Sequence, residues 1–306
     1  MSSLSQKLTI IVPAYQCAGD LERHSESLEF LRKKDIPIIW IVSPSQDRSE
    51  VVAEGLANAS GDSFFLSPMG LYQSWNFGVK KVKTPFVGIS TIGDYYTNDE
   101  ITKIPTLLET LSGDICFSPP FLDQSEIMLS SKNWPVYRFR KELARYDSSI
   151  VPRELLLRLQ FRSELSCVLG SWASIVARTT TLQKYPFPFD MGHHSDTAWF
   201  YRNLHHLNCV FYDRTIATFT IHPTPQLFSA TELAGHYDIL MRTFLRMSRR
   251  GNSREIDFCL NTRKYLASLY LLNKIRGAKP KRGWWLIFKN WKLRWLRERY
   301  KRRATL

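Results

Sequence analysis

The 306-residue chain contains no Cys-x-x-Cys pair, and its five cysteines, Cys17, Cys116, Cys167, Cys209 and Cys259, are scattered. No histidine stands at zinc-finger spacing from them. This pattern excludes a disulfide framework and a structural metal, and implies reduced thiols in a cytosolic compartment. No run of about 18 apolar residues is present, so no segment is expected to cross a membrane. The stretch before Lys7 is polar, so a secretory leader is not expected. Charge is missing too, from most of the chain. Residues 276–303 hold twelve Lys/Arg against one acid, Glu298, which is +11 of the total +14 and leaves +3 for everything before them. A nearly neutral body argues against nucleic acid as a partner.

What is there begins with a continuous apolar, β-branched run, Leu-Thr-Ile-Ile-Val-Pro-Ala-Tyr at 8–15. Such a run fits the middle of a parallel sheet covered on both faces. Pro13 cannot donate to a ladder and so marks the carboxyl edge of that sheet, which makes Pro13, Ala14 and Tyr15 the lip of a candidate site. Leucines at 21, 28 and 31 predict a helix over 20–34, and 36–42 read as a second buried strand followed by a polar loop at 43–47. A helix over 49–58, a strand at 63–66, a helix over 70–82 and a strand at 84–90 follow. Alternation of this kind with short connections predicts an α/β fold, a doubly wound and mostly parallel sheet.

The order of these pieces resembles the inverting, family-2 nucleotide-sugar glycosyltransferases, over roughly residues 7–225. The resemblance is carried by Val-Pro-Ala-Tyr at 12–15, Ser43 to Asp47 after the second strand, and Gly70-x-x-x-Ser74-Trp75-Asn76-x-Gly78. It continues through Thr91-Ile-Gly-Asp94, Gly170-Ser-Trp172, Phe189-Asp190, His194-Ser-Asp196 and the strand ending at His222. It implies the GT-A, Rossmann-like fold and a nucleotide-sugar donor. Pro13, Ala14, Tyr15, Ser43, Asn76, Thr91, Asp94 and His222 would then line the donor, with Trp172 and His194 beside the acceptor and Asp196 as the base. Members of the family carry two acids in D-x-D, which hold Mn²⁺ or Mg²⁺ against the diphosphate. Here Thr91 and Gly93 stand in those two places and Asp94 follows. Asp94 either holds a metal with help from the phosphates or is a turn acid. Asp47 serves the nucleotide or caps the helix at 49–58, and Asp196 is a base or a helix-terminal acid.

The tail has its own chemistry. Trp284, Phe288, Trp291 and Trp295 recur at helical spacing among basic residues, the pattern of an element lying in an anionic membrane interface. A C-terminal helix docked on the body is a second reading, and an arm whose interleaved Trp and Arg stack on nucleic-acid bases a third. The expected organisation is thus a GT-A-like domain over 1–225 and a helical extension over 226–306, peripheral to the inner face of a membrane. The expected activity is transfer of a sugar to a glycan or lipid-linked saccharide. A catalytically silent relative that scaffolds polysaccharide assembly is the alternative.

Overall fold

The computed structural model describes residues 7–67, 70–97, 99–119, 121–123, 135–162, 167–189 and 195–220. They fall within the first of two compact units, Met1–His236. The expected boundary at 225 and the tail lie outside the described residues.

In chain order the strands are β1 (Leu8–Ala14), β2 (Ile38–Val42), β3 (Ser63–Leu66), β4 (Phe86–Ile89), β5 (Tyr95–Tyr96) and β6 (Ile115–Phe117), then β7 (Phe121–Asp123), β8 (Ser149–Ile150), β9 (Ile175–Arg178), β10 (Cys209–Phe211) and β11 (Ala217–Thr220). The helices are α1 (Leu21–Ser27), α2 (Glu29–Arg32), α3 (Ser49–Ser60), α4 (Leu71–Lys81) and α5 (Ile104–Thr110), then α6 (Pro135–Arg138), α7 (Arg140–Leu143), α8 (Arg153–Arg162), α9 (Thr179–Lys184) and α10 (Ser195–Asn203). The main sheet has the order β3-β2-β1-β4-β9-β6-β10-β8, and a smaller one the order β5-β11-β7. In the main sheet β9 and β8 run against the other six strands. This is the mostly parallel α/β sheet expected, with one antiparallel strand set into its middle.

Strand β1 is buried along its whole length, as its unbroken apolar run requires. Its even-numbered side chains join those of β2, α1, α3 and α5 in one core. On the opposite face α4 lies close against β1 and β2, because Gly78 has no Cβ: one there would stand 2.9 Å from Ile41 and 3.2 Å from Ile11. Gly88 in β4 makes room of the same kind for the phenol of Tyr96, whose hydroxyl would lie 2.4 Å from an added Cβ. That hydroxyl donates to the Ile175 carbonyl at 3.3 Å and so ties the small sheet to β9.

The position of Pro13 follows from the ladder. Ala14 faces β2, accepting from Ser43 N–H, while Ile11 faces β4, accepting from Ser90 N–H. Pro13, two residues after Ile11, therefore turns its missing N–H toward β4, whose pairing with β1 ends at Ile89. No ladder bond is lost, and the strand order reverses between β1 and β4, the place where an open α/β sheet has its ligand crevice. The helix expected over 20–34 is instead two helices, α1 and α2, because the chain turns at Leu28 before the left-handed Asp35 leads into β2.

Candidate donor and acceptor site

The crevice is walled by the loops after β1, β2 and β4. The first two are clasped by one carboxylate. Asp47 Oδ2 accepts from Ala18 N–H at 2.9 Å, and Oδ1 accepts from the hydroxyls of Ser45 and Ser49, each at 2.6 Å. Ser49 N–H adds a 3.2 Å bond to Oδ1, so Asp47 also satisfies the first amide of α3, whose N-cap residue is Arg48. Ser49 Oγ in turn accepts from Cys17 N–H at 2.8 Å. The Ala18 amide, then the two hydroxyls, hold the Asp47 carboxyl well below the usual carboxylate range. The clasp fixes two left-handed non-glycine residues, Gln16 and Arg48, and leaves the Tyr15 ring 45 % exposed at the lip.

Two donor-side residues expected from the sequence use their side chains inside the protein. Ser43 is fully buried, with its hydroxyl 3.1 Å from Ser67 and 3.1 Å from Ser74, a trio that joins the ends of β2 and β3 to α4. Asn76 makes a two-bond clip with the backbone of Phe187, donating to its carbonyl and accepting from its amide, each at 2.8 Å. Asn76 thus fastens α4 to the chain that leads toward α10.

The β4 loop is a tight turn. Asp94 N–H donates to the Thr91 carbonyl at 2.8 Å, and Gly93 adopts a φ of 92°, which glycine supplies without steric cost. The Asp94 side chain is buried, and its Oδ2 accepts from Thr91 Oγ1 at 3.0 Å and from Ser171 Oγ at 3.2 Å. Ser171 reaches it because β9 is antiparallel, so the residues before it emerge at the edge where β4 ends. Behind the turn, Ser90 Oγ donates to the Asp94 carbonyl at 2.9 Å and lies 3.3 Å from His24 Nε2. Burial, and then the neighbouring Arg32, push the His24 imidazole down to about 4, so it is neutral at neutral pH.

Trp172 follows Ser171 and is buried in an aromatic cluster. It packs edge-on against Phe187 at 4.7 Å, Trp199 at 5.3 Å and Trp75 at 6.1 Å between ring centroids. Asp196 is half-buried in the first turn of α10, three residues before Trp199. Its Oδ1 accepts from the amide and, at 3.2 Å, the hydroxyl of Thr197. Burial raises the Tyr72 phenol above its ordinary range, and the Asp196 charge raises it further, which places the acid beside the start of α4. His194 and His222 lie outside the described residues.

The described residues do not make a resident metal centre. They bring one carboxylate to the β4 turn, with one oxygen already accepting two hydroxyl protons, whereas Mg²⁺ or Mn²⁺ asks for about six oxygen ligands. Among the described residues no group of three or more His, Cys, Asp or Glu could hold an ion.

No protein-family model matches the chain, and no curated protein does. Solved structures match it. Residues 1–349 of TarS from S. aureus in complex with UDP superpose with a TM-score of 0.59 at 14% identity, over 85% of this chain and 70% of that one. The same fragment with UDP-GlcNAc gives 0.58 at 13%, over 89% and 73%. This chain has the GT-A fold. Against the longer TarS chain the GT-A match gives 0.57 at 13%, over 90% of this chain but 44% of that one.

Sequence reasoning missed Ser171 as the partner of Asp94 and His24 behind it. Ser171 sits inside a quoted motif, Gly170-Ser-Trp172, but pairing it with Asp94 required the strand direction of β9. A single histidine on an apolar helix face carries no signal of its own.

Proposed function

We propose that this protein is an inverting glycosyltransferase, taking a sugar from a uridine-diphosphate donor to a hydroxyl of a glycan or lipid-linked saccharide. The observation that carries the reading is the crevice at the β1/β4 reversal in a GT-A fold, rimmed by Tyr15 and by the Asp94 turn. UDP and UDP-GlcNAc in TarS support uridine as the base. In the reaction the acceptor oxygen attacks the anomeric carbon while Asp196 takes its proton. The bond from that carbon to the diphosphate oxygen breaks, and the nucleoside diphosphate leaves with the electron pair. Tyr15 and Ala14 border the base, Thr91 and Asp94 the diphosphate, and Trp172 supports the acceptor side from beneath. Any divalent ion arrives chelated to the donor and counts as part of that substrate.

Thermal-shift titration with nucleoside diphosphates, in Mn²⁺, in Mg²⁺ and in EDTA, tests this. UDP at about 100 times its dissociation constant should stabilise the fold by roughly 2.7 kcal/mol, and the shift should persist in EDTA. Mn²⁺ alone should leave the midpoint unmoved. If no nucleotide shifts it under any condition, the transferase reading fails. A silent scaffold then becomes the better account, as the Thr and Gly at 91 and 93 already suggest.

The tail supports action at a membrane. Trp284, Phe288, Trp291 and Trp295 with their basic neighbours suit the interface of an anionic leaflet, and among the described residues no helix is long and apolar enough to cross one. The full chain should sediment with vesicles containing phosphatidylglycerol and stay in the supernatant with pure phosphatidylcholine. A chain that stays in the supernatant with both would remove the membrane from the proposal.

A further inference from the structure

We infer that His24 is a positioning residue for the Asp94 turn, acting through the Ser90 hydroxyl to hold the turn against the diphosphate of the donor. The relevance to a donor rests on the transferase reading above; the positioning itself does not. Ser90 has one hydroxyl proton, and the Asp94 carbonyl takes it at 2.9 Å. Oγ must therefore accept from His24, which fixes the imidazole as the Nε2–H tautomer across the 3.3 Å contact. Nδ1 is then a bare acceptor, buried without a partner.

A leucine or phenylalanine could fill this place in α1 without stranding a ring nitrogen, since His24 is 3% exposed and packs edge-on against Trp40. For core packing alone, histidine is the worse choice. What it adds is a donor aimed at the one hydroxyl that grips the turn from behind. Asp94 is held at its amide by Thr91, at its Oδ2 by Thr91 and Ser171, and at its carbonyl by Ser90. Without His24 the Ser90 hydroxyl can rotate, and the carbonyl loses its fixed partner.

The test uses the full chain with two substitutions. His24→Leu keeps bulk and removes the donor; His24→Gln keeps an N–H at a similar reach. Hydrogen exchange of the ligand-free protein should show the amide of Asp94 exchanging about five- to tenfold faster in His24→Leu. His24→Gln should exchange near the wild-type rate, and the midpoint of global unfolding in His24→Leu should not fall. Calorimetric titration should then show UDP bound about five- to tenfold more weakly by His24→Leu, with uridine affinity unchanged. Unchanged exchange in His24→Leu overturns the inference, as does an equal loss for UDP and uridine. A wild-type chain that binds neither ligand sinks the transferase reading, and the exchange rates still decide the role of His24. If His24→Leu does not fold, Ser90→Ala removes the middle hydroxyl and is held to the same outcomes.

Discussion

Asp196→Asn is expected to lower the transfer rate by about 10²- to 10⁴-fold, the range a positioned general base supplies. Asparagine keeps the shape and keeps an oxygen for the Thr197 amide and hydroxyl in the first turn of α10. What it loses is the capacity to take a proton. UDP affinity should be unchanged, because the proposed function gives the leaving diphosphate to Thr91 and Asp94. Nucleotide release from the donor, with the acceptor that the wild-type protein turns over, measures the effect. Asp196→Ala separates the two roles of this acid, adding a stability loss of about 1 kcal/mol from the lost Thr197 bonds. Activity within tenfold of wild type in Asp196→Asn would assign Asp196 to the helix alone.

The second large effect lies away from the site. Asp62→Ala should destabilise the fold by about 3–5 kcal/mol, measured by urea denaturation. Asp62, in the turn between α3 and β3, accepts from Arg32 at 2.7 Å and from the Trp40 indole N–H at 2.9 Å. The side chains of the ion pair are largely shielded, Arg32 at 13% and Asp62 at 6% exposure. Alanine leaves the guanidinium with Glu29 and the Ser25 carbonyl, while the fully buried Trp40 loses its acceptor. Two penalties therefore add, a desolvated charge with its nearest partner gone and an orphaned N–H. The double change Arg32→Met with Asp62→Leu should recover the part of the loss that comes from the unpaired charge, while the Trp40 N–H stays without its acceptor. A loss below about 1 kcal/mol in Asp62→Ala would show that water reaches Arg32 and screens it.

Much of this architecture is legible in the residues. The run at 8–15 announces a buried central strand, Pro13 marks its end, and the helices at 49–60 and 71–81 follow their apolar spacing. The antiparallel β9 is not legible: Ile175–Arg178 is too short a run to declare its direction, and direction is set by which edge its neighbours leave open. The site divides the same way. Motif order singles out Tyr15, Ser43, Asn76, Asp94 and Asp196, yet it cannot say where a side chain points. Ser43 and Asn76 turn inward because a buried hydroxyl trio and a backbone clip satisfy them there. Asp47 does more than satisfy the first amide of a helix, because the loop after β1 happens to lie within reach of its second oxygen.

The placement of β9 also sets an order of events during synthesis. β1 to β4 pair among themselves and are complete by Ile89, so this half of the sheet can form from nearby segments while the chain is still being made. β4 and β6 have no shared border until residues 175–178 arrive to pair with both. Closing that long loop is the slow kind of step, and Ser171 reaches Asp94 only when it happens. On the ribosome, the β1–β4 half of the sheet therefore precedes the half that carries Ser171 and α10. If the proposed reading holds, a nascent chain passes through a stage in which the base could be held before any sugar could be transferred.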